Sequence, residues 1–490
     1  MYNKTLGKHD FGVTLLQSQT QYSNESSAMS AENIRNVDNK WNALTKENVT
    51  LNGYSSDLIE TGLFSYMGRL TYGYDDKYLL TASLRYDSAS QLAPLNRKDQ
   101  FTSASIAWRI DKEEFLQNIS WLNSLKLRAG YGVTGNAAVP AYETQPALAQ
   151  LLYSTSYGVL TNLKLPNVEL GWEKTTQFNY GVDFGVFNNR ISGSLEYYTS
   201  KTKDLLLLRS IPTVLGFDKT LANTGKTKGN GVELTLNTVN VKTNNFEWSS
   251  SLSASWQKSE IVELQNGKQD DILNSRFIGY SPGIIYGFES NGIWRPEDAA
   301  EMAKFNAAAG STVFVFGNAR PVDQNGDYKI DANNDRVVLG STEPKFITGL
   351  TNTFNYKNIE LSIFIYGRMG YLYNVGGENL SGKTSQRQLD YYTDDNTDAE
   401  YQRPFFSAGT GDTYNPILGY KNGSFLKIRN ISLGYNFESD FVQKIGLSKL
   451  RVYMQAANPG MIFSKVKWID LDTQTSYSNR GFTLGLNVQF

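Results

Sequence analysis

The chain has 490 residues, of which 47 are basic and 48 acidic, for a net charge of −1. That balance argues against a nucleic-acid partner, which would call for a basic patch or stripe. With no cysteine, disulfides, thiolate metal sites and cysteine nucleophiles are excluded.

Apolar and polar residues alternate with period two along much of the chain, which is the pattern of half-buried strands. The spacing predicts about fourteen strands, at 8–19, 62–74, 78–90, 99–110, 124–135, 172–187, 190–206, 222–238, 246–263, 345–356, 359–374, 424–437, 448–458 and 480–490, with ends good to about 2–4 residues. Within 177–187, Phe178, Tyr180, Val182, Phe184 and Val186 form one face and Gln177, Asn179, Gly181, Asp183 and Gly185 the other. Asn188-Asn189 then makes a tight turn, and Ile191, Gly193, Leu195 and Tyr197 continue on the return strand. Farther on, Trp248, Leu252, Ala254 and Trp256 alternate with Ser249, Ser251, Ser253 and Ser255. Ile359, Leu361, Ile363 and Ile365 form another face, as do Leu450, Val452, Met454 and Ala456. Phe425, Ile431, Leu433, Tyr435 and Phe437 are read as one more, interrupted by Lys427 and Arg429. The last ten residues place Phe482, Leu484, Leu486, Val488 and Phe490 on one side, and Gly481, Thr483, Gly485, Asn487 and Gln489 on the other.

Mean hydropathy is −0.41, and no uninterrupted apolar run reaches the ~18 residues of a membrane helix. A barrel, however, hides its lipid face in alternate positions. The 30 Tyr and 25 Phe suit interface girdles, where a ring lies at headgroup level with its hydroxyl in water. Composition alone leaves a large soluble all-β protein equally open.

The connections alternate in length. Those at 75–77, 188–189, 239–245 and 357–358 are short, and 111–123 and 438–447 look like short helical links. Between them fall long segments at 20–61, 91–98, 136–171, 207–221, 264–344, 375–423 and 459–479. Outer-membrane barrels have short periplasmic turns and long extracellular loops, whereas a soluble sandwich has no reason to keep that alternation. With the C-terminus periplasmic, strand 8–19 runs outward and an even number of strands is expected upstream. No charged n-region and apolar h-region follow Met1, so an export signal is also expected upstream.

Few residues suggest chemistry. Asp323, Asn325 and Asp327 have the 1-3-5 spacing of a calcium loop, with Asp331 and Asp335 as further carboxylates. The sixth position is Tyr328 rather than Gly, and the twelfth is Asn334 rather than a bidentate Glu. An Asx-turn-rich loop is therefore the preferred reading, and calcium the lesser one. His9 is the single histidine, with no candidate catalytic partner near it in sequence. The run Gly130-Tyr131-Gly132-Val133-Thr134-Gly135-Asn136 lacks the ending of a phosphate loop and reads as a strand entering a loop. No catalytic residue or cofactor is assigned. The long loops mix Tyr371, Tyr373, Tyr391, Tyr392, Tyr401, Phe405, Phe406, Tyr414 and Tyr420 with polar residues. Such aromatics suit a sugar or peptide platform, loop packing or a protein contact alike.

The stretches Leu125-Lys126-Leu127-Arg128-Ala129-Gly130-Tyr131-Gly132-Val133-Thr134-Gly135-Asn136, and Trp172-Glu173-Lys174-Thr175-Thr176-Gln177-Phe178-Asn179 with Gly181-Val182-Asp183-Phe184-Gly185, resemble hallmarks of SusC/RagA-type TonB-dependent transporters. The segment 323–331 with Asp335-Arg336-Val337 and Gly340 resembles that family's D-x-N-G-D-G-x-I-D…D-R element, with Tyr328 in place of a usual Gly. Phe425-Leu426-Lys427-Ile428-Arg429-Asn430-Ile431-Ser432-Leu433-Gly434-Tyr435 and the closing 480–490 complete the match, which runs from about residue 60 onward. The resemblance implies an all-β, transmembrane antiparallel barrel of about 22 strands with a plugged lumen. It implies TonB-powered import of oligosaccharides or peptides across the bacterial outer membrane, with a SusD-like surface lipoprotein as lid. The plug and the TonB-contact segment are not recognisable in these residues. The chain is thus expected to be the C-terminal part of such a barrel and not to transport alone. A passive porin-like channel and a soluble carbohydrate-binding protein are the alternatives.

Overall fold

The computed structural model describes residues 1–490 except 33–37, 39, 41–49, 147–148, 154–155, 161–164, 377–387, 406–411, 445 and 475–478. Among the described residues, one antiparallel sheet of 15 strands carries the molecule. In chain order these are β1 (Tyr2–Leu6), β2 (His9–Glu32), β3 (Thr50–Tyr74), β4 (Tyr78–Ala89), β5 (Lys98–Arg109), β6 (Leu122–Asn136), β7 (Glu173–Val186) and β8 (Ile191–Lys203). They continue as β9 (Lys226–Lys242), β10 (Phe246–Glu263), β11 (Phe346–Tyr356), β12 (Ile359–Met369), β13 (Phe425–Asn436), β14 (Lys449–Ser464) and β15 (Gly481–Gln489). Order in the sheet is order in the chain, the up-and-down arrangement of a barrel wall. Among the described residues no pairing joins β1 to β15.

The alternation sets two faces. Leu127 pairs with Val182 and Val182 with Leu195, giving an apolar row across three strands. One residue along, Arg128, Gly181 and Glu196 form a row on the opposite face. On β15, Phe482 and Leu484 are 75% and 78% exposed on the apolar face. A continuous apolar face left bare by the protein suits lipid contact, with a wet lumen behind it.

The low end of the sheet, where Phe490 lies, is closed by tight turns. Asp75, Asp76, Phe187, Asn188, Asn189 and Lys357 there take positive φ between 50° and 58°, the conformation that matches hairpin twist and that Asn and Asp tolerate. Neighbouring turns are laced together. The Asp75 amide donates to the Lys8 carbonyl (2.7 Å), that of Val239 to Arg190 (2.8 Å), and that of Lys357 to Asn245 (2.9 Å). Aromatics gather at this level: Tyr78 stacks between Tyr74 and Trp108 at 6.5 and 6.4 Å. Glu113 accepts from the Tyr78 hydroxyl (2.7 Å) and the Trp108 indole N–H (3.0 Å).

Three expectations change. The strand Tyr2–Leu6 adds to the fourteen; a count from residue 8 begins one strand late, and the parity drawn from it falls away. The connection expected over 20–61 is largely strand, because β2 and β3 stay paired from His9↔Tyr74 to Glu32↔Thr50. Finally, Phe425 is not on the face of Ile431, Leu433 and Tyr435. A bulge between Ile428 and Asn430 reverses the parity of β13, so Phe425 and Lys427 point inward with Arg368 and Tyr366.

At the high end the long connections hold small elements of their own. In 264–345, Ile284–Phe288 pairs with Arg336–Ser341 and Ser290–Ile293 with Ala319–Pro321, and the helix Ala299–Ala309 lies between them. In 370–424, Leu372–Asn374 pairs with Tyr420–Asn422.

Candidate functional site

The inward face differs around the sheet. Across β6–β8 it is charged. Arg128 donates to Asp183 (2.6 Å) and Glu196 (2.7 Å), and Lys126 reaches the same Asp183 at 2.8 Å. These side chains are about one-third exposed, so each pair contributes only about 0–1 kcal/mol. Their effect is to fix charge in a wet wall. From β9 to β12 the face turns to hydroxyls. Ser251, Ser253, Thr235 and Thr351 line a shallow recess whose upper edge is Tyr366 and Arg429.

Directly above that recess, residues 465–474 of the next connection fold inward and are clamped to the wall. Lys427, 2% exposed, donates to Asp470 at 2.8 Å and lies 3.2 Å from Asp472. The β13 bulge aims Arg429 so that its Nε donates to Asp472 (2.7 Å) while its guanidinium lies 4.0 Å from the Tyr366 ring centre. Burial pushes the Asp472 carboxyl up, but hydrogen bonds from Arg429 and Lys427 outweigh it and hold it below the usual carboxylate range. Val466 and Leu471 pack with Phe425 beside the ion cluster. Tyr371, beside this strap, has its phenol pushed up to about 12 by burial. The break in alternation at Lys427 and Arg429 is the sequence signal of this clamp. Its partners lie 43 residues away, where periodicity does not reach.

The calcium-like segment binds itself. Asp323 accepts from the amides of Gly326 (2.7 Å) and Tyr328 (2.8 Å), Asn325 from Asp327, and Asp327 from Lys329 (2.8 Å). Fully buried Asp335 accepts from Gln324 (2.9 Å) and Asp331 (2.7 Å). The Asn334 side chain and the amides of Asn333 and Asn334 hold the Asp331 carboxyl below its usual range. Among the described residues no group of three His, Asp or Glu side chains is placed to hold a metal ion. Tyr328 sits at φ 62°, a left-handed conformation that costs a non-glycine residue about 1–2 kcal/mol. Its ring meets Phe305 edge-on at 5.5 Å, with Lys304 5.0 Å away.

The loop aromatics mostly build a core. Trp294, with no exposed surface, packs on Phe305 (5.4 Å) and Phe314 (5.5 Å), with the Arg320 guanidinium 4.6 Å from its ring. Tyr414 joins from the other long loop, against Phe314 and Phe288, and donates to the Ile330 carbonyl. Tyr371, Tyr392 and Tyr401 are buried, and Tyr391 is exposed. Phe406 lies outside the described residues. The two loops are also tied by the Arg295–Asp398 ion pair at 2.6 Å and by Asp412, which accepts the Ala319 amide. Burial raises the Asp412 carboxyl despite the amides of Ala319 and Tyr414 that bond it.

The remaining candidates are structural. His9 sits among Phe11, Tyr72 and Tyr74, its Nδ1 2.9 Å from the Tyr72 hydroxyl. The glycine-rich run is the end of β6.

Residues 2–342 match the family model described as TonB dependent receptor-like, beta-barrel. The chain is 32% identical to TonB-dependent receptor P26 of Formosa agariphila over 93% of its own length and 49% of that protein. It is 29% identical to TonB-dependent receptor SusC of Bacteroides thetaiotaomicron over all of its length and 49% of that protein. Among solved structures, the RagAB peptide transporter superposes with a TM-score of 0.80 at 23% identity, covering all of this chain and 54% of that one. The chain thus spans about half the length of the curated relatives it matches.

Proposed function

The chain belongs to the TonB-dependent receptor-like β-barrel family, an outer-membrane family, and from that premise we propose that it forms the larger part of the wall and mouth of a TonB-dependent importer. In this reading the long connections face the cell exterior and the tight turns face the periplasm. A bulky polar ligand, an oligosaccharide or oligopeptide, enters among the folded loops and passes the hydroxyl-lined wall beneath the strap. A SusD-like lipoprotein covers the mouth, and TonB acts through a plug outside these residues. No covalent step on the ligand is involved.

The observation that carries this reading is the match between connection length and face. The tight turns lie at one end and the longest connections at the other, and the apolar rows lie on the face opposite the ion-paired one. A soluble sheet protein has no use for that combination.

The test is uptake of fluorescent oligosaccharides and oligopeptides by the native bacterium. The expected result is that disrupting the gene, or removing TonB, abolishes entry of one ligand class. Entry that needs this gene but persists without TonB would establish the passive channel instead.

A further inference from the structure

The outward faces of four adjacent strands change character at one level. The apolar rows end on Phe178 of β7, Tyr197 of β8, Val232 of β9 and Trp256 of β10. Thr176, Thr199 and Asn230 follow, and beyond them the same face carries Lys174, Lys201, Lys203, Lys226, Lys228 and Lys258. The register brings these together: Lys203 lies opposite both Lys174 and Lys226, and Lys201 opposite Lys228. Like charges directly opposed in a sheet destabilise it, so the arrangement calls for anions.

Among the described residues the protein supplies too few. Asp99 takes Lys174 at 2.5 Å, Glu260 takes Lys228 (2.5 Å) and Lys258 (3.0 Å), and Glu263 takes Lys226 (2.7 Å). Six ammonium groups meet three carboxylates, and Lys201 and Lys203 stay exposed. This patch continues the lipid-facing surface, one step past its last aromatics, toward the long-connection end. That is the level at which bilayer headgroups stand and at which basic side chains reach them.

We propose that this outward lysine patch binds the phosphate groups of outer-leaflet lipids and so anchors the barrel against that leaflet. Continuity with the apolar face favours lipid over a soluble partner. The proposal rests on the orientation given above, which cysteine labelling at Leu273 checks separately.

The test is thermal unfolding of the full chain, purified in mild detergent and titrated with diphosphorylated lipid A, with its dephosphorylated form, or with inorganic phosphate. The diphosphorylated lipid is expected to raise Tm and the other two to leave it unchanged. In K201Q/K203Q the concentration giving half the effect is expected to rise about thirtyfold, with no change in K357Q, a lysine at the low end. An equal response to the dephosphorylated lipid, a response to inorganic phosphate alone, or an unaltered titration of K201Q/K203Q would overturn the proposal.

Discussion

The two ends of the sheet are built on opposite rules. At the low end, turns at 75–76, 187–189 and 357 reverse the chain with one to three residues in left-handed conformations, and backbone amides join neighbouring turns. At the high end, connections of up to about 80 residues carry their own hairpins, a helix and an aromatic core. The low end is local backbone chemistry repeated along the rim. The high end depends on side chains that meet across long stretches of sequence. Damage should therefore stay local at the low end and spread at the high end.

The largest effects are expected high. Trp294→Ala removes the centre of the aromatic core and should cost about 3–5 kcal/mol. Hydrogen exchange should then rise together in 284–341 and 390–420, while β6–β10 remain protected. Lys427→Ala takes the ammonium away from buried Asp470 and leaves Asp472 to Arg429, a loss of about 3–5 kcal/mol in holding the strap. Limited proteolysis should then cut within 465–474, and adding Asp470→Asn should restore part of the protection. Fast exchange throughout the sheet in either variant would erase the distinction between the ends.

At the low end, Asn189→Val places a β-branched residue at φ 58° and should cost about 1–2 kcal/mol. Exchange should quicken only around 185–192, with the high loops unchanged.

The smallest effect is a pH dependence within the high end. Asp472 titrates below its unfolded value, so its stabilisation of the strap is present above the usual carboxylate range and is lost only as pH falls through the lowered value. Asp412 titrates above its unfolded value, so the contact it makes between the two loops weakens as pH rises from the usual carboxylate range through the raised value. After correction for the intrinsic pH dependence of amide exchange, protection at Ala319 and Tyr414 should increase as pH is lowered from neutral toward the usual carboxylate range, while protection at 466–472 stays unaltered.

The same contrast explains what the sequence discloses. Period-two alternation across the lipid band locates the strands, because lipid on one side and water on the other must be written into alternate residues. Above the band both faces are polar, so the upper parts of β2 and β3, rich in Ser, Gln and Asn, read as loop although they remain paired. Tyr2–Leu6 is too short and too polar to show a pattern. The charges at Lys427 and Arg429 mark a break in alternation, yet the bulge that turns Phe425 inward and the carboxylates that meet it appear only in three dimensions. Likewise, the loop aromatics, for which a ligand platform, loop packing and a protein contact are equally open in sequence, mostly form a loop core, since composition does not reveal which rings face one another.

The orientation of these two ends can be read directly, because a chain without cysteine gives a clean background. Single cysteines at Leu273, in a long connection, and at Asn358, in a tight turn, would be exposed to a membrane-impermeant maleimide on intact cells and again after the outer membrane is opened. The expected result is labelling of L273C in intact cells and of N358C only after opening. The reverse order, or equal labelling of both in intact cells, would contradict the placement of the long loops outside and with it the importer reading.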